Sequence, residues 1–188
     1  MSSKILVFAG SARAASFNVK LAKACARLID DEAAEANFID LNDYQLPIYH
    51  GDLESESGIP ENVYKLRELF SEHEGMLIAS PEYNNSVSPL LKNVIDWVSR
   101  DGGKDVAFKG KVAAVVSTSP GRLGGLRGLS HIRAILSGVG VHVIPQQYAL
   151  PNSKEAFDKE GNLVPGPHVD QLKTLVKALV ETTNKLHS

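Results

Sequence analysis

Five short apolar runs, each followed by a segment with apolar residues at helical spacing, constrain this chain more than any other feature. Residues 5–9 are continuously apolar, as a strand buried on both faces must be. A helical pattern follows over 18–29, with Leu21, Ala22, Cys25, Leu28 and Ile29 on one side. Residues 36–41, 75–80, 112–117 and 139–144 make four further strand-like runs. Pro60, placed at a first helical position, opens a helix whose apolar face is Val63, Leu66, Leu69 and Phe70. Other helical patterns cover 89–99, the stretch bearing Leu129, Ile132, Ile135 and Leu136, and 168–186. Residues 42–58 read as a surface loop, 102–111 as a basic, glycine-rich turn, and 145–167 as irregular with a turn at 158–162. The alternation predicts an α/β fold: a doubly wound, five-stranded parallel sheet with helices on both faces. In the order 2-1-3-4-5, strands 1 and 3 flank the switch point where ligands bind, and strand 4 lies beside them.

The chain has 188 residues, which favours one domain over 1–188 with a substantial core. Hydrophobic residues make up 43% and charged ones 22%, so a folded chain rather than a disordered one is expected. Lys+Arg number 20 against Asp+Glu 22, with no basic block, which argues against a nucleic-acid partner. No apolar run approaches the ~20 residues of a membrane span, and no secretory leader pattern precedes residue 5. A single cysteine, Cys25, excludes an intrachain disulfide and suits a cytoplasmic protein.

Three polar loops follow the first, third and fourth strands, so the topology points all three at one ligand. The first brings Ser11, Arg13 and Ser16 to a helix start at Asn18, a setting for one dianionic phosphate. It has neither G-x-G-x-x-G nor G-x-x-x-x-G-K-[ST], so it is not a dinucleotide turn or a P-loop. Helix capping by Ser16 beside a surface arginine is the plainer reading, but it leaves the clustering unexplained. The second loop, Pro81, Glu82, Tyr83 and Asn84, offers a flat aromatic and main-chain donors to a planar ligand. Its structural alternative is a turn in which Asn84 and Asn85 cap the next helix. The third runs from Ser117 through Gly121 to Gly125, with glycines that allow close backbone approach. Six scattered histidines show no metal-ligand spacing, and Cys25 lies among alanines in a helix, as a packing thiol does. No catalytic dyad stands out; Glu82 as a general base ranks below Glu82 as a loop carboxylate. A pocket without a dyad suits an enzyme whose cofactor carries the chemistry.

Gly10-Ser11-x-Arg13-x-x-Ser16-x-Asn18, then 80–84 (Ser-Pro-Glu-Tyr-Asn), then Pro89, Leu90, Lys92, Asn93, Asp96 and Trp97, resembles the NADPH-dependent FMN reductase family. This flavodoxin-like group includes bacterial chromate and quinone reductases and azoreductases, and the resemblance runs over residues 4–144. It implies that Ser11, Arg13, Ser16, Phe17 and Asn18 bind the FMN phosphate and ribityl chain. It implies equally that Pro81, Glu82, Tyr83 and Asn84 hold the isoalloxazine, with Ser117 and Gly121 closing the other side. No residue is expected to be catalytic and no metal is expected. NADPH or NADH would be co-substrate, with small acceptors such as quinones, flavins, chromate, azo or nitro compounds. The resemblance further implies ping-pong kinetics and a homodimer or homotetramer, with Tyr83 and Arg127 near the subunit boundary. Two rivals are an electron carrier of the flavodoxin type and a flavin-binding redox sensor without turnover.

Overall fold

In the computed structural model, residues 2–32, 34–100 and 107–187 are described. Of the turn expected over 102–111, residues 102–106 lie outside them. Five strands form one parallel sheet: β1 (Ser3–Ala9), β2 (Ala34–Phe38), β3 (Gly75–Ala79), β6 (Val112–Thr118) and β7 (His142–Leu150). Their spatial order is β2-β1-β3-β6-β7, which is 2-1-3-4-5 when these five alone are counted. The doubly wound sheet expected from the strand–helix alternation, flavodoxin-like as the resemblance implies, is therefore present. A two-stranded antiparallel hairpin, β4 (Glu82–Tyr83) and β5 (Ser86–Val87), stands apart from the sheet.

Period-two side-chain alternation divides the central strands between two cores. Ile5, Val7 and Ala9 of β1 join Leu77 and Ala79 of β3 and Val112, Ala114 and Val116 of β6 on one face. That face is covered by α1 (Phe17–Asp30) and α7 (Pro167–His187) through residues such as Leu21, Cys25, Leu172 and Val176. Leu6, Phe8, Met76, Ile78, Ala113 and Val115 point to the other face. There they meet α3 (Glu61–Ser71), α4 (Pro89–Val98) and α5 (Leu126–Gly138). Every residue of β3 and β6 is buried, which is why these strands read as unbroken apolar runs.

Besides the hairpin and β2, which runs Ala34–Phe38 rather than over 36–41, four segments differ from the sequence expectation. Within 42–58 lies a helix, α2 (Gly51–Ser57), which buries none of its residues and so carries no apolar period. His50 Nδ1 caps it by accepting the Leu53 amide at 3.2 Å. Pro60 stands one position outside α3, as its N-cap, with ψ at 145°. The fifth strand continues past Pro145 to Leu150. Val143 pairs with Ala113 and Gln147 with Val115, so β7 advances four residues while β6 advances two. The bulge absorbs the proline, which cannot donate to a ladder, and β7 lies at the sheet edge, where this is tolerated. A short helix, α6 (Ser153–Ala156), follows. The turn expected at 158–162 is present, with the Asp158 carboxylate accepting the Asn162 amide at 2.8 Å.

Candidate functional site

The C-terminal ends of β1, β3 and β6 are in register: Ala9 pairs with Ala79, and Ala79 with Val116. Beyond them the Gly10 amide donates to the Ala79 carbonyl (2.9 Å) and the Ser80 amide to the Val116 carbonyl (2.8 Å). The three loops thus leave the sheet side by side. Between them lies a cleft of about 280 Å³. Ser11, Arg13, Ser16, Phe17 and Asn18 line it from the first loop, Pro81, Glu82 and Tyr83 from the second, Thr118, Ser119 and Pro120 from the third, and Lys154 from α6.

The first loop is organised by hydroxyls. Ser16 is the N-cap of α1, its Oγ accepting the Val19 amide at 3.3 Å. The Phe17 and Asn18 amides, in the first turn, have no carbonyl within the helix to bond. Gly10 is required by packing: an added Cβ would lie 2.8 Å from Leu91 Cβ. Ser88, the N-cap of α4, donates from Oγ to the Gly10 carbonyl at 2.6 Å and accepts the Leu91 amide. Asn18 faces the cleft, but its side-chain amide is committed to the Thr118 backbone, donating to the carbonyl at 2.9 Å and accepting the amide at 3.1 Å.

The second loop is the β4–β5 hairpin, turned by Asn84 and Asn85, both at positive φ (49° and 66°). These asparagines make the turn; capping of α4 falls to Ser88, with Pro89 at the first helical position. The Glu82 carboxylate crosses to α5, whose N-cap Gly125 has no side chain to offer. Its Oε2 accepts the Arg127 amide at 2.9 Å and the Gly128 amide at 3.2 Å. Arg127 in turn donates to Asn85 Oδ1 at 2.9 Å, and His131 Nδ1 lies 2.8 Å from Ser86 Oγ. The hairpin is therefore fastened to α5 along its length. Tyr83 of the hairpin, Leu123 of the third loop and Leu126 at the start of α5 remain 46%, 48% and 44% exposed.

The third loop is held from beneath. Ser117 is fully buried and donates to the Gly124 carbonyl at 2.7 Å, and Gly121 accepts the Asn152 amide at 3.3 Å. Gly124 has φ 60°, and a Cβ there would stand 2.7 Å from the Leu150 backbone. Among the predicted site residues, Asn84, Ser117 and Gly121 thus shape loops rather than line the cleft. Thr118, Ser119 and Pro120 belong to the stretch singled out in sequence, but Lys154 does not. It sits on a helix of four residues, too short to show a period.

The family model described as NADPH-dependent FMN reductase matches residues 3–155. The chain belongs to that family. It is 34% identical over 166 residues to a 2-hydroxy-1,4-benzoquinone reductase from a Burkholderia species, covering 87% of each chain. To an NADPH:quinone oxidoreductase from Arabidopsis thaliana it is 34% identical over 188 residues, covering 97% of this chain and 93% of the other. Its structure resembles the flavoenzyme NAD(P)H:(acceptor) oxidoreductase FerB of Paracoccus denitrificans with a TM-score of 0.85 and 30% identity, over 97% and 98% of the two chains.

Family membership makes this chain an NAD(P)H-dependent oxidoreductase that works through FMN. The donor set of the cleft fits such a group. One region gathers a guanidinium, serine hydroxyls and a helix N-terminus, suited to a phosphate. Another presents Pro81 and Tyr83, suited to a flat ring. The carboxylate on the cleft wall, Glu82, is turned to α5 and its neighbouring Arg127. Among the described residues no three His, Cys, Asp or Glu side chains are grouped to hold a metal ion. Cys25 is buried away from the cleft and burial pushes its thiol up to about 12, so an FMN reductase of this build has no thiolate nucleophile there. No helix among the described residues is long and apolar enough to cross a membrane.

Proposed function

We propose that the cleft is the FMN site, and that the chain passes hydride from NAD(P)H to a small flat acceptor by ping-pong turnover, quinones being the first candidate. The observation that carries this reading is the meeting, in one cleft, of Arg13 and the α1 N-terminus with the Pro81–Tyr83 wall. Arg13 and the hydroxyls of Ser11 and Ser16 would hold the phosphate, with the Phe17 and Asn18 amides completing the cradle. Main-chain groups of the hairpin would orient the ring edge, and its fastening to α5 keeps that edge at a fixed height. The chemistry that bound FMN supplies is a two-electron relay, hydride in from NAD(P)H and hydride out to the acceptor. The protein's share is then positioning, which needs no acid–base pair. Glu82 fits that role, because its carboxylate organises α5 and the hairpin.

Relatives named quinone reductases and quinone oxidoreductases support quinones as acceptors. Flavins, chromate, azo and nitro compounds are further flat or oxidising acceptors of the same reading. The exposed apolar side chains of Tyr83, on the cleft wall, and of Leu123 and Leu126, on the third loop and the start of α5, support a homodimer or homotetramer with the cleft near the boundary. A single buried free thiol supports a cytoplasmic setting for this one-domain enzyme.

The test is a visible spectrum of the purified protein before and after anaerobic NADPH, then after a benzoquinone. Flavin absorbance that bleaches within seconds and returns with quinone is expected. A protein that takes up no FMN overturns the site. One that takes up FMN without bleaching is a carrier or a redox sensor.

A further inference from the structure

The cleft carries a second cation besides Arg13. Lys154 lines it from α6, and the short helix is held in place at both ends. At its start, the Ser153 amide donates to the Ser119 carbonyl at 3.0 Å, and the preceding Asn152 amide to Gly121 at 3.3 Å. At its end, Phe157 stacks on Phe17, the first residue of α1, with ring centroids 6.0 Å apart and planes 26° apart. Helix α6 is thereby fixed against the α1 N-terminus, the same side of the cleft as Ser11, Arg13 and Ser16.

We propose that Lys154 is a second phosphate-binding cation, acting with Arg13 on the dianionic monoester of the flavin. The inference rests on the reading of the cleft as the FMN site. A phosphate monoester carries about −1.5 to −2 near neutral pH, since its second pKa is near 6. One guanidinium and a helix end equivalent to roughly +0.5 together fall short of the full dianion by about half a charge. Lys154 supplies the remainder. No carboxylate among the described residues is paired with it. Glu82 is committed to α5, and Glu155, next in sequence, lines a separate cavity of about 160 Å³ with Asn152 and His168. Among the described residues neither Arg13 nor Lys154 is in an ion pair. An exposed, flexible ammonium at the cleft wall adds charge without the fork geometry of arginine, so it would retain the ester more than orient it.

The experiment titrates FMN and riboflavin separately into flavin-depleted parent, Lys154→Gln, Lys154→Arg and Arg13→Ala, following quenching of flavin fluorescence. Lys154→Gln is expected to weaken FMN roughly tenfold at low salt and to leave riboflavin unchanged, since only FMN carries the charge. Lys154→Arg should keep FMN affinity near the parent's, and the salt dependence of FMN binding should be shallower in Lys154→Gln. An unaltered preference for FMN over riboflavin in Lys154→Gln overturns the proposal. A raised KM for NADPH in that variant, with FMN affinity unmoved, also overturns it and gives the ammonium to the co-substrate's phosphates. Parent protein that binds neither flavin overturns the cleft reading itself. Loss of FMN in Arg13→Ala alone leaves that reading standing without Lys154.

Discussion

Asn18 grips both backbone groups of Thr118, its Nδ2 donating at 2.9 Å and its Oδ1 accepting at 3.1 Å. The pair joins the first turn of α1 to the end of β6 and fixes the spacing between the first and third loops. Asn18→Asp keeps the acceptor but sets an anion against the Thr118 carbonyl. The variant should lose about 1–3 kcal/mol of stability by urea denaturation, the range for an unsatisfied buried partner. Its FMN affinity should fall as well. A side chain that only lined the cleft would change flavin binding and leave the urea midpoint unmoved.

Glu82 caps a helix to which it does not belong. Glu82→Ala should cost about 1–2 kcal/mol, in the range of N-cap removal, and should speed hydrogen exchange at the Arg127 and Gly128 amides. Glu82→Gln keeps an acceptor and should lose less. Unchanged exchange at those two amides in Glu82→Ala would contradict the capping role.

Arg13 is the cation of the first loop. Arg13→Ala should weaken FMN binding by about 1.5–3 kcal/mol, roughly 10- to 150-fold, while riboflavin binds as in the parent. Equal losses for both flavins would place the guanidinium on the ring or ribityl chain instead.

Cys25 makes stability depend on alkaline pH. Burial raises its thiol from 9.0 to about 12, so the folded state holds the proton more tightly than the unfolded chain. The contribution is full below pH 9 and is lost as pH rises through the 9–12 window. Between pH 9 and about 10.5 the parent should lose about 1.6 kcal/mol more than Cys25→Ala. Parallel pH profiles for the two proteins would refute it. The native thiol should also resist Ellman's reagent at pH 8 and react on unfolding.

The sheet was legible because its strands are buried on both faces. The runs at 5–9 and 112–117 sit inside β1 and β6 to within two residues. Helix α2 was not legible, because a helix that buries nothing has no apolar period to show. Pro145 hid the second half of β7, since a proline ordinarily ends a ladder strand and only the bulge permits it here. At the cleft, Ser11, Arg13 and Pro81 stood out through residue type at a strand end. The commitments of Asn18, Glu82 and Ser117 did not, since each partner lies on another element. Lys154 lacked any sequence signal, its position arising from the lacing of α6 to the third loop and from the Phe17–Phe157 stack.

The bulge at Pro145 bears on how copies of this protein can meet. A flat outer strand offers a row of free amides and carbonyls onto which another chain can add a strand, the usual route to runaway sheet extension. On β7 one donor is missing and the ladder is thrown out of step between Val143 and Gln147. That border of the sheet is a poor template. A chain adding a strand there would meet a broken row of partners, which disfavours open-ended sheet extension through β7.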